Sequence, residues 1–490
     1  MQELSSLLLT GSARSIGAAI AAGHVTSWQV TQWYLSRIEA FNPGSEGINC
    51  VRRISPRALE EAAFADQELA AGRCRGSLHG VPYLVKDNVF TLDGSPVSAG
   101  SKAFEYFLPP YEATLVQRLR EAGAVLLGKV NLTEFADFVS DVMPSEFSGA
   151  GGVVRHPLGF QYGRGTGSSV GSAAAVAARF CTFSIGTETQ NSIQTPAISS
   201  SVVGFKPTVG RVSRYGVIPL VPSQDTPGPL TLTVDDAAMV FSAIAGADVN
   251  DTLSLSYFPN IDTSLRAGGV QGLRIGIPRK FMADMVLDDN RITVFDSILN
   301  RLAQAGARIV DPCDLPSAEQ LNDVRSCVFR TEFKESLNEF LGRLKPCGIS
   351  SLSELIAWNR ANPDAIPYGQ SLLEAANQTS GMLVSQYITD RQRDLELSIQ
   401  GGIEAAMRTG DVDLLLVPMT VAAKCTGKAG GPVVAIPTGQ DAMGHPFGIT
   451  VFAMPGQDRL LLRAAAAIEY VVGERVEPEL TSLARYISNK

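Results

Sequence analysis

A chain of 490 residues with 45% hydrophobic and 18% charged residues has ample core material and is too apolar to stay disordered. Its formal net charge of −8 excludes a general nucleic-acid binder, because neutralising phosphates needs a basic field. Seven scattered cysteines with no CxxC pair fit reduced thiols in the cytoplasm rather than a disulfide framework or a zinc site.

In chain order, the first residues lack a basic start followed by an apolar core, so no secretory signal is expected. Residues 26–42 predict an amphipathic helix. Thr26 with Gln29 fits a capping box, Val30, Trp33, Ile38 and Phe41 recur at helical spacing, and Pro43 stops it. Residues 57–71 repeat the helical pattern. Val81 to Val85 is a short strand-like run that ends at Lys86. From Ala113 the chain reads as a helix, with Gly123 at its C-terminal turn, followed by a buried strand. Residues 292–310 repeat that scheme with a helix through Leu302, and 273–278 and 413–418 are further buried strands. Residues 315–408 are more helical and more charged, and are placed over one side of the core. No apolar run approaches about 18 residues, so no membrane-spanning helix is expected. Helices alternating with short apolar strands imply an α/β fold, a sheet covered by helices on both faces.

Three segments carry chemistry. Lys86 follows an apolar run, where burial disfavours the charged amine and makes a neutral general base available. The plain alternative is a lysine reaching out from a strand end. Residues 163–172, GRGTGSSVGS, run into an alanine-rich helix. They lack the lysine of a phosphate-binding P-loop and the glycine spacing of a dinucleotide fingerprint. What survives is a tight loop presenting Ser168 and Ser169, or simply a serine helix cap. Ser192, in GTETQNSI, is an ordinary loop serine, or a nucleophile whose neighbouring amides form an oxyanion hole.

Taken together, GVPYLVKDN, GTGSSVGSAAAVAA and the stretch from GTETQNSIQTPA to SQDTPGPL strongly resemble the amidase signature family. The resemblance covers most of the chain, with residues 81–241 as the signature core. It implies one large α/β domain over 1–490, with a mixed central sheet wrapped by helices. It also implies Lys86 as base, Ser168 as the serine held in a cis peptide, and Ser192 as nucleophile. Ser169 would support the lysine, and the backbone of Thr189, Gln190, Asn191 and Ser192 would form the oxyanion hole. The implied substrate is a small-molecule carboxamide, with no cofactor, metal, nucleic-acid or membrane partner, and with a homodimer as the assembly to test. Residues 315–408 would lie on the substrate side. Two other readings remain: the amidase subunit of a tRNA-dependent amidotransferase, and a catalytically silent amidase-like binding protein.

Several positions depart from the family pattern. Gln190 and Asn191 stand where two glycines are usual, Thr166 and Val170 replace glycines, Gln194 replaces an arginine and Glu188 an aspartate. If residue 190 needs positive φ, the loop is distorted. If it does not, the side chains narrow the acyl site. Cys181 is expected to be a buried small hydrophobe, His79 and His156 structural or surface groups, and Asp87 a structural residue facing away from Lys86.

Overall fold

The computed structural model describes residues 2–44, 46–256, 269–283 and 289–480. The capping box forms as the sequence predicts. The Thr26 side chain accepts from the Gln29 amide at 3.0 Å, the Gln29 side chain accepts from the Thr26 amide at 2.9 Å, and the helix runs Ser27–Phe41. The second predicted helix is Ala58–Ala70. The helix expected to end at Leu302 extends over Asp289–Gln304.

The centre of the molecule is one sheet. Its strands are β1 (Val51–Ile54), β2 (Pro82–Lys86), β3 (Val125–Val130), β4 (Phe183–Glu188), β5 (Val203–Lys206) and β6 (Thr226–Thr231). The chain continues with β7 (Arg274–Gly276), β8 (Arg308–Val310), β9 (Leu414–Pro418), β10 (Val433–Gln440) and β11 (Pro446–Phe452). Their spatial order is β1-β3-β2-β4-β6-β5-β10-β11-β9-β7-β8. The sheet is mixed: β2 runs parallel to β3 and β4, whereas β4, β6, β5, β10 and β11 pair antiparallel in succession. Every residue of β2, β3, β4 and β11 is buried, so both faces of the sheet are covered there. Among the covering elements, Val234–Ile244 packs on β6 and Asp458–Val472 on β10. Residues 315–408 are mainly helical, with Val328–Leu344 the longest element.

This layout brings the three chemical segments together. Lys86 ends β2, and Thr187 and Glu188 end β4, its parallel neighbour, with Val85 paired to Ile185. Carboxyl ends of adjacent parallel strands are where α/β sheets hold ligands. The glycine–serine loop reaches the same edge and turns into the fully buried helix Val170–Ala177. Gly171 in its first turn lies against the chain just after β3. A Cβ there would stand 2.1 Å from the Asn131 carbonyl oxygen. Gly171→Ala is therefore expected to cost about 2 kcal/mol or more of stability, read as a lowered urea midpoint. An unchanged midpoint would contradict this close packing.

Candidate active site

Lys86 is fully buried, with its amine in a nest of oxygens. Nζ lies 2.7 Å from Ser168 Oγ, 3.0 Å from Ser169 Oγ, 2.9 Å from Thr187 Oγ1 and 3.2 Å from the Thr187 carbonyl. Burial pushes its pKa down to about 7, against the pull of the Asp225, Glu188 and Asp137 carboxylates. No carboxylate makes an ion pair with it among the described residues, so neutral hydroxyls take the place of a counter-ion.

The hydrogens around Lys86 can be counted. The Ser169 hydroxyl donates to the Thr187 carbonyl at 3.0 Å, so toward Lys86 its oxygen acts as an acceptor. The Thr187 hydroxyl oxygen accepts from Asn88 Nδ2 at 3.0 Å as well as facing Nζ. A neutral amine has two N–H bonds and one lone pair. Its four oxygen neighbours outnumber those two N–H bonds, which leaves the Ser168 hydroxyl, the nearest at 2.7 Å, within reach of the lone pair. Ser169 thus makes no helix-capping bond, although it precedes the helix Val170–Ala177. The peptide bond Gly167–Ser168 is cis.

Ser192 follows β4 in the next loop. Its carbonyl accepts from the Ser169 amide at 3.0 Å, which fastens the two serine segments through the backbone. The Ser192 hydroxyl itself makes no hydrogen bond among the described residues, and none links it to Ser168. Hydrogen bonds of this kind are often long until substrate binds.

The loop around Ser192 is held from both sides. Buried Glu188 accepts from the amides of Ile193 at 2.7 Å and Gln194 at 3.0 Å, and from the Gln194 side chain. Burial raises the Glu188 pKa, opposed by Lys206. The Gln194 side chain also donates to the Gln190 carbonyl at 3.1 Å. On the other side the Thr189 hydroxyl donates to Asp225 at 2.6 Å, and the second oxygen of Asp225 takes the amides of Leu220 and Val221. The amides of Gln190, Asn191 and Ser192 are left with no acceptor among the described residues. That is the state an oxyanion site requires.

Gln190 and Asn191 do not take positive φ, so the absence of glycine does not distort this turn. Gln190 packs against bare Gly427, where a Cβ would lie 2.7 Å from Gln190 Cγ, and bonds to Gln224 at 3.3 Å. Asn191 donates to the Gly165 carbonyl at 3.0 Å and ties the two loops together.

A cavity of roughly 240 Å³ adjoins the cluster. Its polar wall includes Asn88, Thr187 and Thr189. Its apolar wall includes Tyr111, Phe135, Tyr215 and Phe340, with the two tyrosine rings stacked 4.5 Å apart. Neither Ser168 nor Ser192 is part of that wall. Thr187, Asn88 and Asp225 were not singled out by sequence reasoning. A period-two reading of the chain leaving β2 would have put Asn88 on the Lys86 side.

The remaining candidates lie elsewhere. Asp87 turns away from Lys86 to Arg52 at 2.9 Å and Ser98 at 2.5 Å. Burial pushes the Cys181 thiol well above its usual range, as suits a small core residue. His79 contacts the Ala65 carbonyl at 2.9 Å and His156 the Ser199 carbonyl at 2.8 Å, and burial lowers the His156 pKa to about 4. No helix among the described residues is long and apolar enough to cross a membrane.

Known proteins resemble this chain over nearly its whole length. The chain is 33% identical to a protein named as a probable amidase of Arabidopsis thaliana, covering 95% of this chain and 90% of that one. It is 31% identical to a glutamyl-tRNA(Gln) amidotransferase subunit of Bdellovibrio bacteriovorus, covering 94% and 97%. The native peptide amidase of Stenotrophomonas maltophilia superposes with a TM-score of 0.88 at 35% identity, over 96% of this chain and 99% of that one. The Amidase family model matches residues 29–429, and the chain belongs to that family of hydrolases acting on carbon–nitrogen bonds.

Proposed function

We propose that the chain is a serine amidase that hydrolyses a carboxamide through an acyl-enzyme. The observation that carries this reading is the buried Lys86 amine, lowered to about 7 and 2.7 Å from Ser168 Oγ. Lys86 takes the Ser168 proton as Ser168 takes that of Ser192, and Ser192 Oγ attacks the carbonyl carbon. The backbone of Thr189, Gln190, Asn191 and Ser192 receives the oxyanion. The proton passes back to the amide nitrogen, the C–N bond breaks, and ammonia or an amine leaves. Water then repeats the attack on the ester, releasing the carboxylic acid and restoring Ser192. Every step is carried by side chains and backbone of this chain together with water.

The aromatic wall supports an aryl or branched acyl group, and likeness to a peptide amidase supports the amide of a short peptide. Ser336, Phe340 and Leu344, all on Val328–Leu344, line the cavity, which supports the helical region as the substrate side. Four buried free cysteines support a reducing, cytoplasmic setting.

The similarity to amidotransferase subunits favours a second reading, in which partner proteins are needed. Ammonia release decides between them. The purified chain alone is expected to liberate ammonia from at least one aryl or peptide amide in a panel that also holds aliphatic and urea-like amides. No ammonia from any of them would favour the amidotransferase subunit or a catalytically silent amidase-like binding protein.

A further inference from the structure

Three arginines meet at the far end of the helix Val170–Ala177 from Ser169. Arg37, Arg179 and Arg475 line one cavity of roughly 380 Å³. About 12 Å of helix separates Arg179 from the serine loop, so this cavity is distinct from the catalytic cluster. Arg179 takes the left-handed backbone, φ 57°, with which glycine commonly ends a helix. Glycine would close the helix without strain, yet the position holds a guanidinium.

Each arginine is fixed by one main-chain carbonyl. Arg37 donates to Ala178 at 2.7 Å, Arg179 to Gly11 at 3.3 Å and Arg475 to Ser201 at 3.0 Å. The three side chains make no other hydrogen bond among the described residues, so most of each five-donor fork is left over. Arg37 and Arg179 are 4% and 5% exposed. Burial, with the charge of Arg179 added to it, lowers Arg37 and Arg475 to about 10, which leaves both cationic at neutral pH. Nearby carboxylates do not balance this charge. Among the described residues only Glu477 pairs with the group, 3.1 Å from Arg475 and 3.6 Å from Arg179, and it is more than half exposed. Asp236 instead accepts the amides of Ala13 and Arg14, both at 2.9 Å, and Asp235 pairs with Arg14. Glu469 accepts the Val234 amide at 2.9 Å, and burial raises it to about 7.

We propose that this cavity binds a phosphate-type dianion, either free phosphate or a phosphate monoester. Three guanidiniums less one carboxylate leave two positive charges on the wall, which a phosphate matches in charge and a single carboxylate does not. Planar N–H forks also suit phosphate oxygens. The volume falls in the range of pockets for small organic ligands, so a substituted phosphate fits.

The test is titration calorimetry on the full chain at pH 8, where phosphate is mainly a dianion, against chloride of equal ionic strength. The probes are inorganic phosphate and phenyl phosphate. Saturable one-site binding of at least one is expected, with a thermal midpoint raised by a few degrees. Tighter binding of the ester assigns a monoester as the ligand, and otherwise the ligand is free phosphate. Glu477→Gln removes the competing carboxylate and is expected to tighten binding about tenfold. Arg475→Gln is expected to weaken it roughly tenfold. Arginines that served only to fasten the chain would give the opposite pattern: Glu477→Gln would lower the thermal midpoint and leave affinity unchanged. That pattern, or no saturable binding of either probe, overturns the site. Glu477 is exposed, so its variant decides the matter even if Arg475→Gln fails to fold.

Discussion

Ser192→Ala is expected to lower kcat for ammonia release by roughly 10⁶-fold while leaving the fold intact. Members of a nucleophile–base unit fail together, so losing the attacking oxygen leaves only the residual effect of binding and of the oxyanion amides. The prediction is sharp because the Ser192 hydroxyl has no hydrogen-bond partner among the described residues. Removing it breaks no bond that holds the loop. That loop stays fastened by Glu188 to the Ile193 and Gln194 amides, and by Asp225 to Thr189. The thermal midpoint should therefore stay within a few degrees of wild type. An activated acyl ester should add its acyl mass to the wild-type peptide bearing Ser192 and to no peptide of the variant. Ammonia release surviving in Ser192→Ala would remove the mechanism altogether.

The second large effect is on pH dependence. Lys86 acts as a base only when neutral, and burial brings its pKa down to about 7. With the neutral form active, kcat/KM should be level above that value. It should fall about tenfold per pH unit below it, as protons fill the lone pair. Lys86→Met removes the base with little change in length. At pH 8 it is expected to lose roughly 10²–10⁴-fold, the usual worth of a positioned base. The acid limb should then disappear from what activity remains. An identical acid limb in Lys86→Met would assign that titration to another group, such as Asp137, which burial raises to about 6.

Much of this site was legible in the sequence because local features determine it. A strand ending in lysine needed only the run from Val81 to Val85, and the capping box at Thr26 needed four residues. Ser168, Ser169 and Ser192 came from spacing and family resemblance. What escaped depends on partners distant in sequence. Thr189 is held by Asp225, 36 positions away, and Lys86 by Thr187, 101 positions away. No periodicity encodes such pairs. The antiparallel order of the central strands is likewise a matter of which edges meet. Gln190 and Asn191 stand where glycines would often mark positive φ. The turn is made without it, and the extra side-chain volume is taken up by bare Gly427.

The parallel pairing of β2 with β4 has one more consequence. The strands that end at Lys86 and beside the nucleophile loop, whose amine and Thr187 hydroxyl meet at 2.9 Å, lie side by side at the spacing of a hydrogen-bonded ladder, about 4.8 Å. That interval is a property of the peptide backbone and cannot drift with side-chain substitution. Helices such as Val328–Leu344, at the far wall of the cavity, carry no share of it. The fold thereby separates two tasks: a ruler made of main chain keeps the chemistry in register, and the helical wall is free to be rebuilt for new acyl groups.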